Sequence, residues 1–87
     1  MAEERRNIDD LTEVADLALA AYLLAKDVPL WAMDRHDWRR ILFVFEGRPT
    51  ELLASWAAGT AQVNAYRYAA GLRRAKRLLF RDEDSKR

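Results

Sequence analysis

The clearest hydrophobic pattern in the chain is Ile41-Leu42-Phe43-Val44-Phe45, five large apolar residues in succession, opened by Arg39-Arg40 and closed by Glu46-Gly47. A strand that is apolar on both faces must be covered on both, so this run predicts a central, nearly fully buried strand over Trp38–Glu46. Ile41, Phe43 and Phe45 share one face with Arg39, and Leu42 and Val44 share the other with Trp38 and Arg40. Upstream, Leu30-Trp31-Ala32-Met33 predicts a partner strand, with Asp34-Arg35-His36-Asp37 as the turn of an antiparallel β-hairpin.

Helical patterns lie on either side of the hairpin. Asp16 to Lys26 is rich in Leu and Ala and apolar nearly all round, which predicts a helix buried on more than one side. Asp27-Val28-Pro29 ends it, because Pro29 cannot continue a helix and holds Val28 in extended geometry. After the hairpin, Gly47-Arg48-Pro49-Thr50-Glu51 reads as a helix start, with Pro near the first helical position and Glu51 facing the positive helix end.

From there a helical pattern continues to about Arg81. Leu52, Trp56, Val63, Tyr66 and Ala70 form one stripe, and Tyr68, Leu72, Ala75 and Leu79 a second, rotated one. A straight helix over this span would be about 48 Å long, against roughly 30 Å for a compact domain of this size. Either Gly59-Thr60 breaks it in two, or its second half projects onto another chain.

Residues 8–14 admit two readings. Leu11, Ala15, Ala18 and Tyr22 keep helical spacing, whereas Thr12 and Val14 suit a short edge strand, with Asp16 then capping the helix. The expected architecture is therefore a single α+β domain over 1–87. It comprises an N-terminal helix, an antiparallel hairpin (or a three-stranded sheet with an edge strand near 8–14) and a long or broken C-terminal helix. Residues 1–7 and 82–87 are charged and read as flexible tails. The expected core is Leu17, Ala21, Leu24, Leu42, Phe43, Val44, Phe45, Leu52, Trp56, Val63 and Leu72.

Composition adds a question of assembly. A chain of 87 residues with 51% hydrophobic residues and three each of Trp, Tyr and Phe has the material for a core, yet at this size only about 60% of the unfolded surface is buried on folding. Together with the over-long helix and the all-round apolar first helix, this favours a homodimer. There is no Cys, hence no disulfide framework. Met1 to Arg6 shows no signal-peptide pattern, and the longest apolar run, Leu17 to Ala25, is too short to span a bilayer. The expectation is a cytoplasmic protein without membrane association, in the host cytoplasm if phage-encoded.

The net charge of +1 hides an asymmetry. Residues 1–47 carry ten acids and six bases, and residues 48–87 carry four acids and nine bases, so the halves stand at −4 and +5. Most of the excess lies on the last helix. Arg67, Arg73, Arg74, Lys76, Arg77 and Arg81 place six cations, with no acid between 67 and 81, on one half of the helical circumference. Tyr68, Leu72, Ala75 and Leu79 fall on the other half. An apolar stripe facing the body and a continuous basic face outside suit phosphates, since each Lys or Arg can neutralise one and release a counterion. Tyr66 on that side and Asn64 near its edge offer stacking or hydrogen bonding. The plainer alternative is a solvated face, or one paired with the acidic first half. No helix-turn-helix, zinc-finger or RNA-recognition signature accompanies it.

A second candidate is the hairpin, where Trp31 and Trp38 alternate with Arg35, His36, Arg39 and Arg40. Aromatics on a sheet can stack bases while Arg grips the backbone; cross-strand Trp packing with a polar turn is the structural alternative. Catalytic and metal chemistry find little footing. The single His36 lies between Asp34 and Asp37 in a predicted turn. Asp9, Asp10, Glu13 and Asp16 suit helix capping, and Ser55 and Ser85 have no base at a readable spacing. No Gly-rich phosphate loop is present, and no cofactor is implied.

Asp16-Leu17-Ala18-Leu19-Ala20-Ala21-Tyr22-Leu23-Leu24, the strand Ile41–Glu46, and Trp56, Gly59, Val63, Tyr66 and Leu72 at helical spacing together carry a family resemblance over roughly residues 12–80. The chain resembles a family of short bacterial, archaeal and phage proteins described only as a domain of unknown function. In that family a strand usually precedes the Asp-Leu-x-Leu-Ala-Ala segment, with Thr and Ser before the Asp; here Val14-Ala15 stand there. The resemblance implies a small α+β fold of prokaryotic or viral origin and supplies no catalytic residues. The expected function is a small non-enzymatic nucleic-acid-binding accessory protein, for DNA or RNA, acting mainly by electrostatics with weak sequence specificity. The alternative is a protein–protein adaptor or inhibitor acting through the hairpin and the acidic half.

Overall fold

The computed structural model describes residues 10–37 and 40–85. In chain order the elements are β1 (Leu11–Val14), α1 (Leu17–Ala25), β2 (Leu30–Asp37), β3 (Arg40–Glu46), α2 (Thr50–Ala58) and α3 (Ala65–Ser85). The strands form one antiparallel sheet in the order β1-β3-β2. This is the expected α+β class, in its three-stranded form. The reason that residues 11–14 are strand rather than helix lies at Asp16. Its backbone is extended and its carboxylate accepts the Ala18 N–H at 2.9 Å. That cap fixes the helix start at Leu17 and leaves Leu11–Val14 to pair with Glu46–Phe43.

β3 is the central strand, as its apolar run predicts. Phe43, Val44 and Phe45 are buried, at 1%, 5% and 0% exposure. Ile41 and Leu42 are only half-buried, because β1 is four residues long and its pairing stops at Phe43. On the helix-facing side, Phe43 and Phe45 join Val14, Tyr22, Leu23, Leu24 and Ala75 in the core, with Leu30 and Met33 packed against it. Leu11, Glu13, Ala32, Asp34, Leu42 and Val44 alternate onto the opposite face.

The turn expected over Asp34–Asp37 is strand instead. Asp34 pairs with Leu42, Arg35 with Ile41 and Asp37 with Arg40. Turn propensity at the two Asp residues yields to backbone pairing with β3, and β2 is an edge strand, where charged side chains are well tolerated. Irregularities in the register at Trp31 and at His36 interrupt this edge near its two ends. Trp38 and Arg39 lie outside the described residues, as do residues 1–9.

α1 runs through the middle of the molecule. Residues Ala20 to Ala25 are all buried, which explains a helix with no polar stripe: the sheet, α2 and α3 cover it from different sides. On the α2 side, the Tyr22 and Trp56 rings lie 5.2 Å apart, tilted by 32°. On the α3 side the backbones come close, since a Cβ built on Gly71 would sit 2.6 Å from the Ala21 carbonyl oxygen. The Tyr68 hydroxyl donates to the Ala18 carbonyl at 3.3 Å, tying the same two helices together.

The long C-terminal pattern is broken, at Gly59. Its φ of 78° is left-handed, its N–H donates to the Trp56 carbonyl at 3.1 Å, and the Thr60 N–H donates to Ser55 at 2.9 Å. This pair of bonds ends α2 in the way helices commonly stop at Gly. Ala61 and Val63 then pack against the core before α3 begins. The stripe Leu52, Trp56, Val63, Tyr66 and Ala70 is therefore not one face. Leu52, Trp56 and Val63 are half-buried, whereas Tyr66 and Ala70 are exposed, because the non-helical link resets the helical phase. At the other end, α3 continues to Ser85, beyond Arg81 where the pattern placed its end.

The expected core is part of a larger one. Ala21, Leu24, Phe43, Val44 and Phe45 are buried, while Leu17, Leu42, Leu52, Trp56, Val63 and Leu72 are half-buried. Val14, Ala20, Tyr22, Leu23, Ala25 and Ala75 complete it. Two of the three features that favoured a homodimer are met within one chain: α1 is covered and the over-long helix is broken at Gly59. Among the described residues no helix is long and apolar enough to cross a membrane.

Candidate functional site

The site is built on α3, and its start is fixed by Asn64. The Asn64 side-chain oxygen accepts the Arg67 N–H at 3.0 Å, while its carbonyl takes the Tyr68 N–H at 2.9 Å. Asn64 is thus a helix cap, and this oxygen is engaged rather than free for the ligand hydrogen bond expected of it. The cap sets the rotation of the helix. Gly71 and Ala75 are buried, and Tyr68, Leu78 and Leu79 pack against the core. A further tie comes from β2, where the Arg35 guanidinium donates to the Leu78 carbonyl at 3.4 Å.

With that face turned inward, Arg67, Arg73, Arg74, Lys76 and Arg77 are all exposed. Arg81 lies on the same helix, with its side chain outside the described residues. Arg67 meets the acidic half of the chain, pairing with Asp27 at 3.3 Å. Both side chains are well exposed, so the pair contributes little to stability. Arg73, Arg74, Lys76 and Arg77 form no ion pair with an acid among the described residues. The opposite charges of the two halves are therefore not used against each other along most of this face.

Two aromatics share it. Tyr66 is 78% exposed and Phe80 56%. Phe80 was not among the sequence candidates, although its position on the helical circumference puts it beside Arg73 and Arg77. Tyr66 also lines a groove of about 310 Å³ together with Leu24, Ala25, Asp27, Arg67, Ala70, Gly71 and Arg74. Leu24, Ala25 and Asp27 could not have been found by pattern, because they reach the groove from α1 and the turn after it.

The hairpin candidates are not brought to this face as a group. Trp31 is half-exposed at the irregular start of β2 and does not line the groove. Trp38 and Arg39 lie outside the described residues, as do the side chains of His36 and Arg40. Of the acidic residues expected to cap the first helix, Asp16 does so; Asp10 instead faces Arg48 at 3.9 Å, Glu13 lies in β1, and Asp9 lies outside the described residues. Among the described residues there is no cluster of metal-binding side chains and no buried charged or polar residue. Comparison with known proteins finds no matching family model, no matching curated protein and no matching solved structure.

Proposed function

We propose that this protein is a small non-enzymatic nucleic-acid-binding accessory protein of a phage or prokaryotic cell, the origin that its family resemblance implies. One observation carries the reading. Arg73, Arg74, Lys76 and Arg77 are exposed on a helix whose opposite face packs on the core, and they form no ion pair with an acid among the described residues. Such a surface favours polyanions and gains from counterion release, and it carries no base-reading motif, so binding is mainly electrostatic and weakly sequence-specific. Arg67 extends the same face, Arg81 follows on the same helix, and Tyr66 and Phe80 add exposed rings that can stack on bases.

The test is fluorescence anisotropy of labelled DNA and RNA at several salt concentrations. Binding that weakens steeply as salt rises supports the reading, and the slope counts phosphates. Absence of binding at low salt removes it. The adaptor reading keeps one supporting observation, Trp31 half-exposed on the edge strand β2. Its signature would be a protein partner lost on Trp31→Ala and retained on charge reversal of α3.

A further inference from the structure

We propose that the groove between the end of α1 and the first turns of α3 receives an unpaired nucleobase, so that the protein prefers single-stranded to duplex nucleic acid. The proposal rests on the nucleic-acid reading above and adds to it a ligand position and a strand preference.

The groove owes its shape to the close approach of α1 and α3. Gly71 lets the helices meet at Ala21, and beside that crossing the lining is short-chained, with Ala25, Ala70 and Gly71. Leu24 supplies an apolar surface from α1, and Tyr66 an exposed ring from α3. A flat ring gains most from apolar surface and an aromatic neighbour, and two of the polar lining residues, Asp27 and Arg67, are engaged with each other. That also makes the site tolerant of which base enters.

The charges of the groove set where the backbone goes. Asp27, left-handed at φ 64° just past the end of α1, holds Arg67 at 3.3 Å. That region is balanced, and its carboxylate repels phosphate. Arg74 has no acid partner among the described residues, so the uncompensated charge of the groove is there. A base within the groove would place its phosphate on Arg74, from which Arg73 and Arg77 continue along the helix. In a duplex the bases are stacked and paired, and none is free to enter.

The experiment compares anisotropy titrations of a labelled single strand, the duplex it forms with its complement, and the same strand carrying abasic positions, all at one low salt concentration. The proteins are wild type, Tyr66→Ala, Ala70→Leu and the Arg74→Glu/Arg77→Glu double variant. Tyr66 and Ala70 are exposed, so both substitutions leave the core intact. The expected result is tighter wild-type binding to the single strand than to the duplex. Tyr66→Ala should lose about tenfold on the single strand, in the range for one base on one aromatic ring, and little on the duplex or abasic strand. Ala70→Leu, which fills the groove, should follow Tyr66→Ala. If both variants bind the single strand as wild type does while charge reversal still weakens every probe, the groove is not a base site and the electrostatic reading stands. If no probe binds wild type, the electrostatic reading fails and this proposal fails with it.

Discussion

Gly71 of α3 stands against the backbone of Ala21 of α1 so closely that a methyl group at its Cα would lie 2.6 Å from the Ala21 carbonyl oxygen. The glycine lies inside a helix with nothing unusual in its backbone angles, so its role is the crossing rather than the turn. On propensity alone, Gly71→Ala would stabilise α3 by about 1 kcal/mol. The clash involves backbone that cannot swing aside, and overpacking typically costs about 1–3 kcal/mol. Chemical denaturation of Gly71→Ala should therefore show a net loss of stability. A gain of about 1 kcal/mol would mean that the helices do not meet this closely.

Gly59 has the opposite character. A Cβ there meets nothing within 4 Å, but its φ of 78° is left-handed. Gly59→Ala should cost about 1–2 kcal/mol from backbone strain alone. The same denaturation measurement checks it, and an unchanged midpoint would argue against the break between α2 and α3.

Trp56 joins α2 to the rest of the fold through the Tyr22 ring, 5.2 Å away. Trp56→Ala should cost about 2–4 kcal/mol, toward the lower end of large core truncations because the side chain is only half-buried. Trp56→Phe should recover much of that loss by keeping an aromatic partner. Equal losses in the two variants would show that the ring contact contributes little.

Arg74 and Arg77 are exposed and have no ion-pair partner among the described residues. The Arg74→Glu/Arg77→Glu variant should keep its stability within about 0.5 kcal/mol of wild type. Its nucleic-acid binding should collapse, and any residual duplex binding should show a salt slope reduced by about 1.8, two phosphate contacts at about 0.9 each. A large loss of stability would reveal a structural role for this face; unchanged binding would remove it as the site.

With α1 covered by its own sheet and helices, light scattering at high micromolar concentration should return the mass of one chain. Twice that mass would point to pairing along the exposed edge of β2.

Local physics made much of this fold legible in the sequence. Ile41–Phe45 is apolar on both faces and became the central strand. Asp16 could cap a helix and does, and Gly59 stops one. The basic half of α3 followed from helical geometry, because the residues Tyr68, Ala75 and Leu79 that face the core fix where the arginines point. Other features were settled by distant partners. Asp34–Asp37 looked like a turn until Ile41 and Leu42 offered a ladder. The stripe from Leu52 to Ala70 is one face only if a single helix carries it, which the bonds at Gly59 and Thr60 exclude. Tertiary structure alone decided that Arg67 meets Asp27 while Arg73, Arg74, Lys76 and Arg77 meet no acid among the described residues, and that Leu24 and Ala25 line a groove with Tyr66. Capping, periodicity and charge order act over a few residues and can be read along the chain. Which charges find partners, and which surfaces face each other, depends on distances that exist only once α1 and α3 have crossed.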